Sequence, residues 1–588
     1  MQDAQTFLEI IRSRGERGLE LKRVYRNLRN GRLFLQAYAK LYANQGALTP
    51  GTDPEDTVDG MSLKRIGRIV KALKEGTYGW KPVRRTYIPK RNGKLRPLGM
   101  PNWSDKMLQE VIRMVLNAYY EPQFSDASHG FRPGRGCHTA LRSILFEWRG
   151  TKWFIEGDIK GCFDHIDHDR LLEVIGRKIK DQRFLKLLRA MLKAGYLENW
   201  RYQRTYSGAP QGGVVSPILT NILLNELDQY VEKELVPQYT KGCRRRRNPA
   251  YEKLTRQMTK AKWQGSVGEY QALKQQRRQL SCGDPNDPNY ERLYYVRYAD
   301  DFLLGYVGPK SKANEIKRRI KDFLATIGLT LSEEKTMVTH ATRQRARFLG
   351  YDIHIAQSKE RRGINGSPRM SVPREVAREW KTRHTRGGKS WQRAELLNRS
   401  DYDIVMTYNV EFQGLVNYYA LAHDVSKKLY PVKWVWLQSL VKTLANKHKR
   451  GAAWVYQGYY RKSPQGVMGI TVEIAREKRR PITAWFGAKP IRFDKWARSG
   501  DVKRQLLMRR SELVERLLAE KCELCGSTAG IEVHHIRKLK DVQKQSSRRR
   551  QRPPWAITMS ILRRKTLVVC TPCHGAIHSG TYDGPRLK

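Results

Sequence analysis

Two adjacent carboxylates, Asp300 and Asp301, stand between two apolar runs that are typical of β-strands, residues 293–297 and 302–306. Neighbouring acids in a tight strand-turn-strand repel each other unless a cation, usually a divalent metal, neutralises them. The alternative is an ordinary hairpin turn, because Asp is frequent in turns. Residues elsewhere in the chain distinguish a metal site from a turn.

A third acid, Asp158, ends the apolar run that begins at Trp153, and the aromatic Phe163 follows five residues later. Three carboxylates brought together by two strands would form a site for two Mg²⁺ ions, which prefer oxygen ligands and keep places for substrate phosphates. Two such ions about 3.5–4 Å apart can activate a 3′-hydroxyl and stabilise a leaving pyrophosphate. The predicted chemistry is nucleotidyl transfer.

A second group of reactive residues lies near the C-terminus. Two Cys-x-x-Cys pairs, Cys522/Cys525 and Cys570/Cys573, have the spacing of a tetrahedral zinc site. The same stretch contains four histidines that the zinc does not need: His534, His535, His574 and His578. Histidines rarely assemble in this way by chance, so we predict a second catalytic site here.

The composition indicates a polyanionic partner. The 588 residues include 112 Lys+Arg against 57 Asp+Glu, a formal net charge of +55. The mutual repulsion of so many positive charges does not stabilise a fold. The excess positive charge therefore favours nucleic acid as the partner. A membrane surface is the competing partner, but the sequence has no apolar stretch of about 18 residues and no signal segment. We therefore expect a cytoplasmic, nucleoid-associated protein with no membrane partner.

Two glycine-containing segments should position these residues. The first, residues 84–99, reads as two strands joined at Asn92-Gly93, a strong hairpin signal. Its basic side chains would grip a phosphate chain; the alternative is an edge hairpin protected by Lys and Arg. The second is the Gly/Pro loop 208–217, which runs into a helix and whose glycines permit close approach to a template or nucleotide.

The remaining segments are mainly basic. An insert at about 241–282 holds twelve Lys+Arg against two Glu, which indicates either an RNA-contacting insertion or a solvated helical hairpin. Residues 356–480 begin as a linker and continue as helices, one of which has an apolar face and a basic C-terminal end. Residues 481–515 are basic without a clear fold signal, and we expect them to contact DNA.

Six ordered motifs resemble those of reverse transcriptases encoded by group II introns. They are Ile88-Pro-Lys with Arg96-Pro-Leu-Gly, Asp158 with Phe163, Pro210-Gln-Gly-x-x-x-Ser-Pro, Tyr298-Ala-Asp-Asp, the block from Gly328 to Lys335, and Arg347-Phe-Leu-Gly-Tyr. This resemblance covers roughly residues 30–355. It continues at Ser439–Lys449, which is similar to the family's thumb, the maturase or X domain that binds intron RNA.

The resemblance implies roles for individual residues. Asp158, Asp300 and Asp301 would be the catalytic acids that bind Mg²⁺, and Phe163 would be the steric gate against a 2′-hydroxyl. Substrate contacts are implied for Lys90 and Arg96 on the incoming triphosphate, and for Gln211 beside the template or nascent pair. Lys335 would donate a proton to pyrophosphate; a solvated surface lysine is the alternative.

The C-terminal pattern resembles the HNH endonuclease module. The resemblance implies that His535 is the general base, that His534, His574 and His578 surround a Mg²⁺-type ion, and that the four cysteines hold a structural Zn²⁺. In one departure, Thr566 stands eight residues before His574, where the family commonly has the Asn that orients the base. Either Thr566 substitutes for that Asn or the orientation comes from elsewhere. The stretch 536–565, with eleven Lys+Arg and one Asp, would track DNA phosphates.

The fold implied by the resemblance is an α+β multidomain protein. It comprises a right-hand polymerase, whose fingers and palm include an antiparallel palm sheet, an α-helical thumb and maturase domain, and a small zinc-stapled ββα HNH domain. The predicted divisions are an N-terminal extension and start of the fingers (1–75), fingers and palm (76–355), thumb (356–480), basic DNA-binding linker (481–515) and endonuclease (516–588).

The predicted function is that of a multifunctional group II intron-encoded protein. It would copy RNA into DNA from dNTPs, bind its intron RNA in a ribonucleoprotein particle, assist splicing, and nick target DNA to prime synthesis. One rival is an RNA-binding splicing factor with an inactive polymerase, but the three acids and Phe163 are all present. The other is a bacterial reverse transcriptase without a maturase function, against which the thumb motif and the C-terminal module count.

Overall fold

The computed structural model describes most of the chain. The described residues are 3–44, 46–89, 93, 95–198, 201–203, 205, 208, 212–284, 286–358, 362–476, 479–498, 511–536, 553–561 and 564–582. Two predicted substrate contacts, Lys90 and Gln211, lie outside them, as do most of the basic stretch 536–565 and part of the linker 481–515.

Helices and strands alternate irregularly along the described residues. The helices are α1 (Ala4–Glu16), α2 (Val24–Asn27), α3 (Gly31–Leu41), α4 (Leu63–Glu75), α5 (Trp103–Tyr120), α6 (Cys137–Glu147), α7 (Cys162–His165), α8 (His168–Lys178), α9 (Gln182–Leu192), α10 (Ser216–Tyr230), α11 (Val236–Gln238), α12 (Pro249–Trp263), α13 (Val267–Arg277), α14 (Lys310–Thr326), α15 (Arg374–Thr382), α16 (Asp401–Tyr418), α17 (Val425–His448), α18 (Ala452–Tyr459), α19 (Ser511–Leu518), α20 (Pro554–Ile561) and α21 (Thr571–Ser579). The strands are β1 (Val83–Pro89), β2 (Leu95–Met100), β3 (Trp153–Asp158), β4 (Tyr196–Glu198), β5 (Arg201–Gln203), β6 (Arg292–Tyr298), β7 (Asp301–Val307), β8 (Met337–His340), β9 (Ala346–Phe348), β10 (Tyr351–Ile355), β11 (Pro368–Ser371), β12 (Thr385–Arg386), β13 (Lys389–Ser390), β14 (Tyr460–Lys462), β15 (Met468–Arg476), β16 (Arg479–Phe486), β17 (Ile531–His535) and β18 (Thr566–Cys570).

A four-stranded antiparallel sheet of order β6-β7-β3-β8 forms the centre of the fold. Its strands are apolar on both faces, and successive side chains point to opposite sides. Thus Leu303 and Phe154 join one hydrophobic core, whereas Leu304 and Ile155 join another. Because both faces are covered, the ends of the strands are held rigidly, and Asp158 and Asp301 lie at those ends.

The two cores connect the central sheet to different parts of the chain. One core packs the sheet against the N-terminal helices and against α5, α8, α9, α10 and α14. The other packs it against β9–β11 and the helices α16 and α17. The central sheet is therefore the element that joins the N-terminal half to the segment after residue 356.

The predicted hairpin near residue 90 forms as β1 and β2, paired antiparallel from Arg84↔Met100 to Pro89↔Leu95. It belongs to a second four-stranded sheet, of order β2-β1-β4-β5. The basic insert forms the helical hairpin α12–α13, in which Met258 and Ala261 are buried. Trp263 at the end of α12 is 87% exposed, so this hairpin presents an apolar ring among its charges.

The segment after residue 356 is less uniformly helical than the sequence predicts. Helices α16 and α17 pack around the buried Trp436, as expected, but β14, β15 and β16 form a three-stranded sheet that contacts α16. The expectation of an all-helical domain is therefore wrong for residues 460–486. The alternation of Ile470, Val472 and Ile474 along β15 is the signal for this sheet.

Two of the predicted domain boundaries fall inside secondary structure. The boundary at 480/481 interrupts β16, which pairs with β15 from Ile470↔Phe486 to Arg476↔Arg479. The boundary at 515/516 interrupts α19, which contacts β17 and β18. Hydrogen-bonded hairpins and packed helices cannot be divided in this way, so these segments belong to the neighbouring folded units.

The C-terminal unit pairs β17 with β18 antiparallel and places α21 directly after β18. Its own core is small and includes Trp555, Met559, Leu567 and Val569. Within the described part of the chain, no helix is long and apolar enough to cross a membrane.

Candidate functional site

The three acids of the central sheet lie together at one end of it. Asp158 and Asp301 are direct partners across β3 and β7, and Asp300 lies in the turn between β6 and β7. Desolvation, followed by the charges of Asp300 and Asp158, raises the pKa of Asp301 to about 7. Desolvation and the charge of Asp158 also raise the pKa of Asp300. Mutual repulsion of this kind is what a bound cation would relieve.

Two predicted basic residues differ in their relation to the acids. The Nζ of Lys335 lies 2.7 Å from Oδ2 of Asp158, and this ion pair raises the pKa of Lys335. Arg96 is exposed on β2, and its positive charge offsets only part of the rise in the pKa of Asp300. The structure thus places Lys335 at the carboxylates and Arg96 on the neighbouring hairpin.

The glycine-rich loop bridges the hairpin and the segment that carries Phe163. At Gly208, with φ of +91°, an added Cβ would come within 2.8 Å of the backbone oxygen of Phe163. At Gly212, with φ of +103°, an added Cβ would lie 2.5 Å from the backbone oxygen of Gly99 on β2. Only glycine permits both close approaches, which bring Gly208 against the backbone of Phe163 and Gly212 against β2.

Phe163 lies on the short helix α7 and is partly exposed. Its ring meets that of Phe131 edge to face, with centroids 6.4 Å apart. Asp158, at the end of β3, is five residues away in the sequence.

A buried ion pair that sequence reasoning missed supports the turn that carries Asp300. Arg297, with no exposed side-chain surface, places Nη2 2.5 Å from Oδ2 of Asp228 on α10. Its Nη1 donates to the carbonyl oxygen of Ala299 at 2.8 Å, and Ala299 has a left-handed φ of +57°. The guanidinium therefore holds the turn in a conformation that non-glycine residues rarely adopt.

We expect Arg297→Met to lower the free energy of unfolding by about 3–5 kcal/mol, because Asp228 would remain buried without its counter-charge. Urea denaturation followed by tryptophan fluorescence measures this change. The double variant Arg297→Met/Asp228→Leu is the matched control, and it should recover most of the stability. A single variant as stable as the parent protein would contradict the structural role of this pair.

The four cysteines converge at the start of the C-terminal unit. Their sulfur atoms lie within 4.8 Å of one another, and Cys525 Sγ is 3.6 Å from Cys570 Sγ. A hydrogen bond from the backbone at Ser527 lowers the pKa of Cys525 to about 7, which favours a thiolate. Four thiols in this arrangement fit the donor set of a structural zinc site, which would stabilise a unit with so small a core.

The histidines form a second cluster on β17 and α21. His574 Nε2 lies 3.1 Å from His534 Nδ1 and 3.1 Å from His578 Nε2, while Glu532 Oε1 lies 2.6 Å from His574 Nδ1. Burial favours a lower pKa for His574, but hydrogen bonds to Asp59 and Glu532 raise it to about 9. Convergent ring nitrogens with a carboxylate behind one of them are typical of metal-binding histidines.

His535, the neighbour of His534 on β17, contacts the N-terminal helices. Its Nε2 lies 2.9 Å from the hydroxyl of Tyr38 on α3, and burial lowers its pKa to about 3. Thr566 is its partner across β17 and β18, but the Thr566 hydroxyl lies 3.5 Å from Nη1 of Arg516. The hydrogen-bonding contact of the His535 ring is therefore with Tyr38, a residue outside the C-terminal motif.

Sequence reasoning missed two residues of this cluster. Asp59, in the loop before α4, shares the metal-like arrangement with His534, His574 and His578, and Tyr38 contacts His535. Both come from the N-terminal segment, 476 residues before His535 in the case of Asp59. No local spacing could have revealed a contact between such distant segments.

Three protein families match separate parts of the chain. Residues 88–353 match the family described as reverse transcriptase (RNA-dependent DNA polymerase), residues 377–459 match type II intron maturase, and residues 522–574 match AI2M/AI1M-like HNH endonuclease. The chain is 38% identical to "Group II intron-encoded protein LtrA" of Lactococcus lactis subsp. cremoris, over 98% of this chain and 99% of that protein. It is 34% identical to an "Uncharacterized 91 kDa protein in cob intron" of Schizosaccharomyces pombe, over 94% of this chain and 69% of that protein.

Proposed function

The chain belongs to the family of group II intron-encoded proteins, and from this premise we propose which of its residues carry each activity. It is a multifunctional enzyme: an RNA-directed DNA polymerase, a maturase and an HNH DNA endonuclease. The observation that carries the polymerase assignment is the pairing of Asp158 with Asp301 across β3 and β7, with Asp300 in the adjoining turn.

In the proposed polymerase site, Asp158, Asp300 and Asp301 hold divalent cations. When bound, such ions supply Lewis-acid stabilisation to the attacking and leaving oxygens of phosphoryl transfer. Lys335 is paired with Asp158 in the protein alone. In the proposed reaction its ammonium group leaves Asp158, binds the triphosphate and protonates the leaving pyrophosphate. Arg96 on β2 holds the incoming dNTP, because an Arg fork suits phosphate oxygens. From the family resemblance we assign Lys90 to the same dNTP and Gln211 to the template; both lie outside the described residues.

Phe163 selects deoxynucleotides in this proposal, because its ring lies under the sugar and collides with a 2′-hydroxyl. We expect Phe163→Val to raise the incorporation of ribonucleotides relative to deoxynucleotides by about ten- to a hundredfold. Primer extension with each nucleotide class measures the ratio. Phe146→Val, at an exposed ring on α6, is the matched control and should leave the ratio unchanged. An unchanged ratio in the Phe163 variant would remove the steric-gate assignment.

The fold details follow from the same proposal. The sheet β6-β7-β3-β8 is the palm, the β1–β2 hairpin belongs to the fingers, and residues from about 356 to 486 form the thumb. Intron RNA and DNA are the polyanions that bind to the positively charged surfaces of this protein, whose net charge is +55. We assign intron RNA to the basic helical hairpin α12–α13 and to the thumb, within a ribonucleoprotein particle in a bacterium or an organelle.

The endonuclease proposal rests on the cluster at β17 and α21. His534, His574 and His578 hold a divalent cation, which when bound supplies charge stabilisation at the scissile phosphate. His535 acts as the general base and is neutral at physiological pH, since burial lowers its pKa. With Nε2 directed at Tyr38, its Nδ1 is the atom that takes a proton from water. The nick leaves a 3′-hydroxyl that primes copying at the polymerase site.

A further inference from the structure

The loop before α4 is built into the endonuclease cluster. The backbone N–H of Gly60 donates to the carbonyl of Val533 at 3.1 Å, and that of Val533 donates to the carbonyl of Met61 at 2.9 Å. Met61 and Val533 are both fully buried, and they form an antiparallel bridge on the side of β17 away from β18. The N-terminal segment is therefore joined to the free edge of β17 by an isolated β-bridge.

This docking brings the carboxylate of Asp59 into the histidine cluster. Its Oδ2 lies 2.8 Å from His578 Nε2, and its Oδ1 lies 3.3 Å from His574 Nε2 and 3.7 Å from His534 Nδ1. The backbone N–H of His535 donates to Oδ1 at 2.7 Å and fixes the orientation of the carboxylate. The side chain of Asp59 is only 17% exposed.

The separations among these atoms suit a common cation. Donor atoms that each bind one ion at about 2.0–2.2 Å lie roughly 3 Å apart. The pairs His574–His534 and His574–His578 are both 3.1 Å apart, and all four donors lie within 4.8 Å of one another. Ring nitrogens that face each other this closely repel unless a proton or a cation lies between them. Glu532 Oε1, 2.6 Å from His574 Nδ1, leaves Nε2 as the metal-binding nitrogen of His574.

We propose that Asp59 is a fourth protein ligand of the endonuclease metal, so that the N-terminal segment of the polymerase completes the nuclease site. This inference rests on the proposed role of the three histidines. The Asp59 carboxylate supplies a hard oxygen donor and a negative charge, which three imidazole ligands lack. It therefore raises the affinity of the site for hard divalent cations. The C-terminal unit then binds its cation at full affinity only while it is docked on the loop before α4.

The test is the affinity of the zinc-loaded, full-length chain for Co²⁺, measured by isothermal titration calorimetry. An Asp300→Asn background keeps the polymerase site from contributing. Asp59→Asn retains an oxygen that accepts from the His535 backbone but loses the charge, and we expect it to weaken Co²⁺ binding by about ten- to a hundredfold. Glu55→Gln, an exposed carboxylate of the same loop, is the matched control and should bind as the parent does.

Two further measurements separate the possible outcomes. His574→Ala should weaken Co²⁺ binding at least as much as Asp59→Asn; if it does not, the histidine assignment itself is wrong. If His574→Ala weakens binding while Asp59→Asn does not, only the role of Asp59 is overturned. In the second measurement, the nicking rate of Asp59→Asn in the parent background should fall with the affinity. Unchanged affinity with faster nicking would show that Asp59 covers the site instead of completing it.

Discussion

Asp300→Asn is expected to lower the rate of RNA-templated DNA synthesis by about a hundred- to a thousandfold. The substitution preserves the size of the side chain but removes one of the charges that would hold the cations between Asp158 and Asp301. Because these charges repel one another in the protein alone, the variant should fold at least as stably as the parent. Primer extension on an RNA template gives the rate.

Intron binding and splicing provide the internal comparison for this variant. Both depend on the thumb and the basic surfaces, so they should remain largely intact. Asp322→Asn, at an exposed acid on α14, is the matched control and should extend primers at the parent rate. Synthesis at the parent rate by Asp300→Asn would refute the assignment of the metal site.

The second large effect is expected for His535→Ala, which should slow nicking of the target strand by about a hundred- to ten-thousandfold. The variant lacks the ring nitrogen that accepts a proton from water, while the cation-binding histidines remain. Extension of a primer on target DNA that is already cut should continue normally, because that step uses only the carboxylates of the central sheet. Cleavage of end-labelled duplex DNA gives the nicking rate.

His535→Ala removes both the contact with Tyr38 and the general base, and a second variant separates these two effects on nicking. His535→Asn keeps a hydrogen-bonding group near the Tyr38 hydroxyl but has no basic nitrogen, so it should be as inactive as the alanine variant. His340→Ala, at a partly exposed histidine on β8, should nick at the parent rate. If either His535 variant nicks at an unchanged rate, His535 has no part in the mechanism.

The sequence was most informative where the chemistry is local. Asp300 and Asp301 lie in one turn, and the apolar runs around them identify the strands that position them. The two Cys-x-x-Cys pairs are also local, because two cysteines three positions apart can bind the same metal ion. Such patterns can be read from the sequence because side chains close together in the chain must reach one common site. The structure brings the carboxylates together in one place and the cysteines together in another.

Contacts between distant segments were beyond the reach of the sequence. Arg297 looks like any charged residue in a strand, and only the fold shows that it is buried against Asp228 below the Asp300 turn. Asp59 belongs to a Gly/Pro/Asp-rich loop that reads as an ordinary connection. Its role depends on docking between the first and last units of the chain, which is decided by tertiary packing.

The three-stranded sheet of residues 460–486 was missed for a different reason. Apolar residues alternate along β15, but the segment before it is helical, and the prediction extends that helical domain to residue 480. Periodicity assigns an element only where it is examined over the correct window. The helices α16 and α17, whose apolar positions are many, were predicted correctly.

In this mechanism the nick made by the nuclease primes the polymerase, and one assay follows both steps on a single DNA strand. The ribonucleoprotein is incubated with dNTPs and duplex target DNA labelled on the strand to be nicked, and the products are separated on a denaturing gel. The parent protein should first shorten and then lengthen the labelled strand. Asp300→Asn should stop after shortening it, and His535→Ala should lengthen it only if the target is nicked beforehand. DNA copies that never become attached to the labelled strand would show that the nick does not prime synthesis. Lengthening of intact target by His535→Ala would show the same.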